Sequence, residues 1–391
     1  LAESSWSTPW LESFSAWRLS WLRMCGLGWP PAEPLARQAW LWRALTHRPN
    51  HRHLPEVLVH RQASAGVMSR EGEAALLFDH LRHIGEAVEA VRPHPASCDG
   101  FELSWALPAG LRCSVIVPTR DRADLLEQCL HSVSATTAQS GISLEWIVVD
   151  HGSVELATGA LLERWQRQLG DACRVIRAGG AFNWSALNNR AAQLSQADLL
   201  LFLNNDIEAP ASGWLEPMVA QAVRPSVGCV GAQLLYPDGT LQHAGVVVGL
   251  HGGADHAYRH LPPDHVVHRG RSRYLSDWGA VTGACLMVRR LLFEQAGGFD
   301  PALPVEFNDV DFCLRLGQAG YRHVIDPRTK LLHHESQSRD AVGSATVAAA
   351  LTLMRRRWPE RLGACAPWWP DACSSAHPDA RPHGLTGFLG L

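Results

Sequence analysis

The chain has 391 residues, 46% hydrophobic and only 19% charged, which excludes disordered and fibrous classes and, at roughly 150 residues per domain, points to two or three domains. Thirty-five Lys and Arg against 38 Asp and Glu leave a formal charge of −3, so no global positive field exists to hold nucleic acid or an anionic membrane. Any phosphate-bearing ligand must be bound locally.

No run of about 18 apolar residues could span a bilayer, and the first twenty residues lack the layout of a signal peptide, so a cytoplasmic protein is the default expectation. Ten cysteines show no CxxC pair and no spacing that suggests a disulfide framework or a thiolate zinc site. The chain begins at Leu1 rather than Met, which suggests a fragment.

Residues 1–110 are rich in Trp, Pro and His and read as an N-terminal appendage or linker. Their one amphipathic helix is predicted over 70–91, where Ala74, Leu77, Leu81, Ile84 and Val88 recur at three- and four-residue steps. From Cys113 strands and helices alternate: a strand over 113–118, a helix over 123–134, a strand over 144–150, a helix over 157–169, a strand over 174–177, a helix over 185–194 and a strand over 198–203. That rhythm predicts an α/β fold with a Rossmann-like, mostly parallel sheet and helices on both faces. A mixed half follows, about 226–337, with a long His- and Gly-rich loop expected over 251–273. Residues 341–391 read as a C-terminal helix and tail.

In such sheets ligands bind outside the carboxyl ends of the strands. The residues there are Pro118-Thr-Arg-Asp-Arg122, Asp150-His-Gly-Ser153 and Asn204-Asn-Asp-Ile-Glu208, and neither GxGxxG nor GxxxxGK[ST] occurs in the chain. Asn204-Asn205-Asp206 after an apolar strand supplies the oxygen ligands a hard divalent cation takes, although an Asx turn capping the next element explains the same residues. His333 or its neighbour His334, at the end of another strand, could add an imidazole to such a shell. Asp309 and Asp311 lie two apart at the mouth of a helix, where a carboxylate either caps the helix or acts as a general base.

The ordered segments VIVPTRDR (115–122), VVDHGS (148–153), FNWSALNN (182–189), LNND (203–206), VTGAC (281–285), FNDVDF (307–312) and HHES (333–336) together resemble family 2 glycosyltransferases. The resemblance covers about residues 111–340 and is greatest to the bacterial branch that builds rhamnan, O-antigen and other surface polysaccharides. It implies a GT-A fold, with a nucleotide-binding half fused to a mixed, acceptor-side half. It places Pro118, Thr119, Asp121 and Asp150 at the nucleotide base and ribose, Asn188 and Asn189 near the donor, and Asn204, Asn205 and Asp206 at the family's DxD position. By the same resemblance Asp206 and His333 hold Mn2+ or Mg2+, Asp309 is the catalytic base, and Asn308 and Asp311 stand on the acceptor side.

The implied reaction is metal-dependent inverting transfer from a dTDP-, UDP- or GDP-sugar to an oligosaccharide or lipid-linked glycan, rhamnosyl transfer among the options. A lipid-linked acceptor would bring the protein to the inner face of the membrane as a peripheral partner. Three departures from the family pattern stand out: His151 after the second-strand aspartate, Asn204 opening the DxD position, and Asn308 before the base. They motivate an alternative, a degenerate nucleotide- or glycan-binding protein that keeps the fold without turnover. A nucleotidyltransferase would need a Gly-rich, Lys-bearing loop after the first strand, and PTRDR has no glycine. Residues 51–110 also resemble the region between two modules of tandem enzymes in this branch, so the segment could be the remnant of an upstream module.

Overall fold

A computed structural model describes residues 19–28, 31, 34–47, 69–95, 100–334, 344–365, 369 and 373–381. The chain divides into two compact units, one reaching to Ala106 with Tyr274–Ser276, the other formed by Leu107–Arg273, Asp277–Trp369 and the residues from Cys373 on.

The first unit holds helices α1 (Leu19–Met24), α2 (Pro34–Thr46) and α3 (Arg70–His83) and the antiparallel strands β1 (Val88–Pro93) and β2 (Phe101–Trp105). Helix α3 starts on the Ser69 side chain, which accepts the Gly72 N–H at 3.3 Å. It ends eight residues short of the predicted 91 because Gly85, at φ +86°, turns the backbone out of the helical region. Val88, on the predicted helical stripe, is instead buried at the start of β1. The segment 51–68, which carries part of the inter-module resemblance, lies outside the described residues.

The second unit follows the predicted alternation. Strand β3 (Arg112–Thr119), helix α4 (Ala123–Thr137), strand β4 (Ser143–His151), helix α5 (Leu156–Leu169), strand β5 (Cys173–Ala178), helix α6 (Trp184–Ala192) and strand β6 (Leu199–Leu203) come in turn. The four strands lie in the order β6-β3-β4-β5, all parallel. Crossovers β3 to β4 to β5 run one way and β5 to β6 runs back, so right-handed connections put α4 and α5 on one face and α6 on the other. With both faces covered, Val115, Ile116, Val148, Val149 and Leu200–Leu203 are fully buried, which is why these strands read as continuous apolar runs.

The mixed half extends this sheet beyond β6. Short β7 (Ile207–Glu208) and helix α7 (Leu215–Ala222) precede β8 (Val227–Leu235), β9 (Leu241–His243), β10 (Val246–Val248) and β11 (Ala254–His256). After them come β12 (Cys285–Arg289), α8 (Arg290–Gln295), α9 (Asn308–Gln318), β13 (Arg322–His333), α10 (Ser344–Arg357) and α11 (Pro359–Leu362). Strand β12 is antiparallel to both β6 and β8, β13 is parallel to β8, and β7 pairs with the end of β13. The predicted loop over 251–273 is more ordered than expected: β11 pairs with β10, and a 3-10 segment spans Val267–Arg273. Three-residue strands are too short to carry a period. Ala350 and Met354 of α10 and Trp358 just after it, four apart, are buried in the same core.

Candidate functional site

Strand β3 sits between β4, reached by the outward crossovers, and β6, reached by the returning one, so the carboxyl ends of β3 and β6 mark the topological switch point. There the Asn205 amide donates to the Thr119 hydroxyl at 3.0 Å, and Pro118, Thr119 and Asn205 are buried. The chain leaves β3 through two consecutive non-glycine residues in the left-handed region, Asp121 (φ 52°) and Arg122 (φ 54°), an arrangement that costs about 1–3 kcal/mol per residue. What it achieves is geometric: Asp121 Oδ1 accepts the N–H groups of Val154 and Glu155 at 2.7 and 2.9 Å, at the entry to α5. Asp150 is fully buried, with Oδ1 accepting from Ser153 N–H at 3.0 Å and Oδ2 paired with Arg177. His151, a departure from the family pattern, is buried with Nε2 3.1 Å from the Gly180 carbonyl and its ring edge-to-face with exposed Phe182.

The turn after β6 brings in the cation candidates. Asp206 Oδ1 lies 3.1 Å from His333 Nε2, both side chains nearly buried. Side chains alternate along a strand end, so His334 points elsewhere and pairs with Glu208 at 2.8 Å. The doublet is thereby resolved geometrically: His333 is the imidazole that meets Asp206. The donor set fits a hard or borderline divalent ion, because two adjacent ligands about 2.1 Å from a six-coordinate centre stand about 3 Å apart. Asn204 contributes its oxygen to a different partner, accepting from Trp184 Nε1–H at 3.4 Å.

Asp309 occupies the second position of α9. Its Oδ2 accepts the Gly283 N–H at 2.7 Å, and its Oδ1 the Val310 N–H, also at 2.7 Å. Burial pushes its carboxyl up to about 6, against the lowering effect of those two N–H groups, while the side chain keeps partial access to solvent. Trp184 connects this carboxylate to the DxD turn. Its ring covers Gly283, where a Cβ would come within 2.9 Å of it, and its Nε1–H reaches Asn204. Beneath it Phe299 and Phe202 pack at centroid distances of 4.9 and 6.3 Å.

Other predicted site residues have structural partners. Asn308 is buried, donating to the Val305 carbonyl at 3.0 Å and accepting from Asp309 N–H at 2.7 Å, so it shapes the start of α9. Asp311, expected on the acceptor side, has structural partners as well. It is fully buried and takes Arg315 at 2.9 Å, Arg357 at 2.7 Å and Trp358 Nε1–H at 3.0 Å, tying α9 to α10. Asn189 likewise clamps the backbone of Phe299 from both sides, at 2.7 and 2.9 Å, and Gly298 is required beside it because a Cβ would sit 2.7 Å from its oxygen. Asn188 is fully buried and donates to the Trp184 carbonyl at 2.8 Å, which orients the helix that carries Trp184. Both asparagines, expected near the donor, thus have backbone partners in the Trp184 helix and at Phe299.

Trp184, Gly283 and Gln242, whose side-chain oxygen is 2.6 Å from His333 Nδ1, are site residues that sequence reasoning did not single out. The first two lay inside segments quoted for the resemblance, while Gln242 lay in none. Among the described residues one further triad has metal-ligand chemistry, Cys229, Cys313 and His323, with ligand atoms within 4.8 Å of one another. Its imidazole has no lone pair to offer: Nδ1 accepts from Cys229 N–H at 3.2 Å and Nε2 meets the Cys313 carbonyl at 2.7 Å.

Known proteins bear on this arrangement. The profile of Glycosyl transferase family 2 matches residues 114–293. The O-antigen biosynthesis protein RfbC of Myxococcus xanthus is 38% identical over 74% of this chain, and the uncharacterized protein y4gI of Sinorhizobium fredii is 38% identical over 78%. The chain spans only 23% and 35% of those two relatives, respectively. An N-acetylglucosaminyl-diphospho-decaprenol L-rhamnosyltransferase of Mycobacterium tuberculosis is 28% identical over 57% of the chain and 76% of its own length. A crystal structure of GalNAc-T7 with UDP, GalNAc and Mn2+ superposes with a TM-score of 0.54 at 17% identity, over 68% of this chain and 51% of that one. The fold is GT-A. Residues 114–293 form a glycosyl transferase family 2 domain, similar to relatives named for bacterial O-antigen synthesis and rhamnosyl transfer.

Proposed function

We propose that the protein is a metal-dependent, inverting glycosyltransferase that moves a sugar from a dTDP-, UDP- or GDP-sugar to a hydroxyl of a growing surface glycan. The observation that carries this reading is the meeting of Asp206 with His333 at 3.1 Å beside the switch point. Asp309 is joined to the same turn through Gly283 and Trp184. The name of the M. tuberculosis relative supports a rhamnosyl donor and a lipid-linked diphosphate acceptor.

In this reading Asp206 and His333 hold Mn2+ or Mg2+, and Thr119 and Asn205 form the floor on which the nucleotide rests. Asp121 and Asp150 support that floor from below by fixing the loop 150–155. Asp309 accepts the proton of the acceptor hydroxyl as that oxygen attacks the anomeric carbon and the bond to the diphosphate oxygen breaks. When bound, the cation neutralises the charge that builds on the departing nucleoside diphosphate. A single displacement needs one base and no protein nucleophile, so one carboxylate suffices where glycoside hydrolysis needs two facing each other. No helix among the described residues is long and apolar enough to cross a membrane.

A thermal-shift panel tests the reading. UDP, dTDP, GDP and CDP are each added with Mn2+ and with EDTA. A ligand at about 100 times its Kd stabilises the folded state by about 2.7 kcal/mol, a rise of several degrees. One nucleotide should shift the melting temperature with Mn2+ and lose the shift in EDTA. Equal shifts in both would remove the metal from the mechanism, and no shift with any nucleotide would overturn the donor assignment.

A further inference from the structure

We propose that Gln242 is the positioning residue of the cation site, fixing the His333 ring so that Nε2, and not Nδ1, presents its lone pair beside Asp206. This rests on the reading of Asp206 and His333 as cation ligands. Gln242 belongs to β9, His333 ends β13, and both run beside β8. Gln242 Oε1 lies 2.6 Å from His333 Nδ1, while Nε2 lies 3.1 Å from Asp206 Oδ1. Gln242 is 1% exposed and His333 6%, so water has little room to replace either contact.

A neutral imidazole carries one N–H and one lone pair, and an amide oxygen only accepts. With a cation between Nε2 and Asp206, whose carboxylate would otherwise take a hydrogen from Nε2, Gln242 selects the tautomer with hydrogen on Nδ1, which turns the Nε2 lone pair to the ion. A metal-binding histidine ordinarily needs such an outer partner to hold its tautomer and ring angle. A neutral amide does this without placing a second carboxylate next to a site that must also admit a diphosphate. Gln242 is anchored through its backbone. Its backbone carbonyl meets His256 Nδ1 at 3.1 Å, and the next residue, fully buried His243, accepts the Thr282 N–H at 3.4 Å and packs edge-to-face on the His256 ring at 4.6 Å.

The test is Mn2+ binding followed by the electron paramagnetic resonance of free Mn2+, on the full chain, alone and with UDP, dTDP or GDP. Gln242→Met keeps the length and removes the strong acceptor; it should weaken Mn2+ binding about 10- to 100-fold. Gln242→Glu restores an acceptor and should stay within a few-fold of wild type, a rescue that a purely packing role would not produce. Unchanged Mn2+ affinity in Gln242→Met, with wild-type binding intact, overturns the role of Gln242 alone. Absence of Mn2+ binding by the wild-type chain in every mixture overturns the cation reading as well. Should Gln242→Met fail to fold, the tautomer of His333 in the wild-type chain saturated with Mg2+, read from long-range nitrogen-proton spectra, decides: hydrogen on Nδ1 is expected, and hydrogen on Nε2 overturns the proposal.

Discussion

Asp309 combines the two properties a base towards a sugar hydroxyl needs: partial access to solvent and a carboxyl pushed up to about 6 by burial. Neighbouring Cys313 and Glu306 push in the same direction, and only the Gly283 and Val310 N–H groups oppose it. In the proposed role Asp309 works when ionised, so protonation as pH falls through about 6 switches it off. The rate should fall about tenfold per pH unit below that point and level off above it; an acid limb near 4 in kcat/KM would mean that a different group titrates. Asp309→Asn should lower transfer by about 100- to 10,000-fold while leaving the nucleotide-induced thermal shift unchanged, since the residue acts on the acceptor. Near-normal transfer by that variant would end its assignment as base. Asp206 stood out in the sequence as part of a polar turn directly after an apolar strand, and Asp309 through its place in a segment that carries the family resemblance. Trp184 and Gln242 were not, since an aromatic in a helix and a glutamine in a three-residue strand carry no local mark of what they touch.

Helices α9 and α10 are held together by one buried carboxylate. Asp311 gathers Arg315, Arg357 and the Trp358 indole, and Arg357 reaches on to Asp300 at 2.7 Å. Removing one partner of a buried pair leaves the others without compensation, so Asp311→Ala should cost about 3 kcal/mol in denaturant unfolding. Its nucleotide-induced thermal shift should survive. Loss of transfer with stability intact would instead return Asp311 to the acceptor side. In sequence the resemblance alone separated Asp309 from Asp311, because spacing shows that two residues lie two apart but not which faces the sheet. The helical turn decides: at two residues apart, about 200° of rotation sends the pair to opposite sides. The overlong α3 prediction failed for a related reason, since Val88 keeps the three- and four-residue rhythm after Gly85 has already turned the chain.

At the scale of the whole molecule, all candidate site residues lie in the second unit. We therefore expect a chain starting at Leu107 to retain a nucleotide- and Mn2+-dependent thermal shift; its loss in a folded truncation would show that residues up to Ala106 contribute to the site. The net charge of −3 places the phosphate-binding task on local groups, in keeping with an oxygen-rich turn rather than a basic surface. The parallel β/α half, its polar strand ends and the family were determined by the sequence by itself, because hydrophobic period, turn residues and motif order are local properties. Which histidine meets Asp206, what lies against that histidine, and what the Asp311 carboxylate of the FNDVDF segment binds were decided only by the tertiary structure. Those contacts join residues such as Gln242 and His333, 91 positions apart, and depend on strand register and side-chain alternation that no short stretch of sequence encodes.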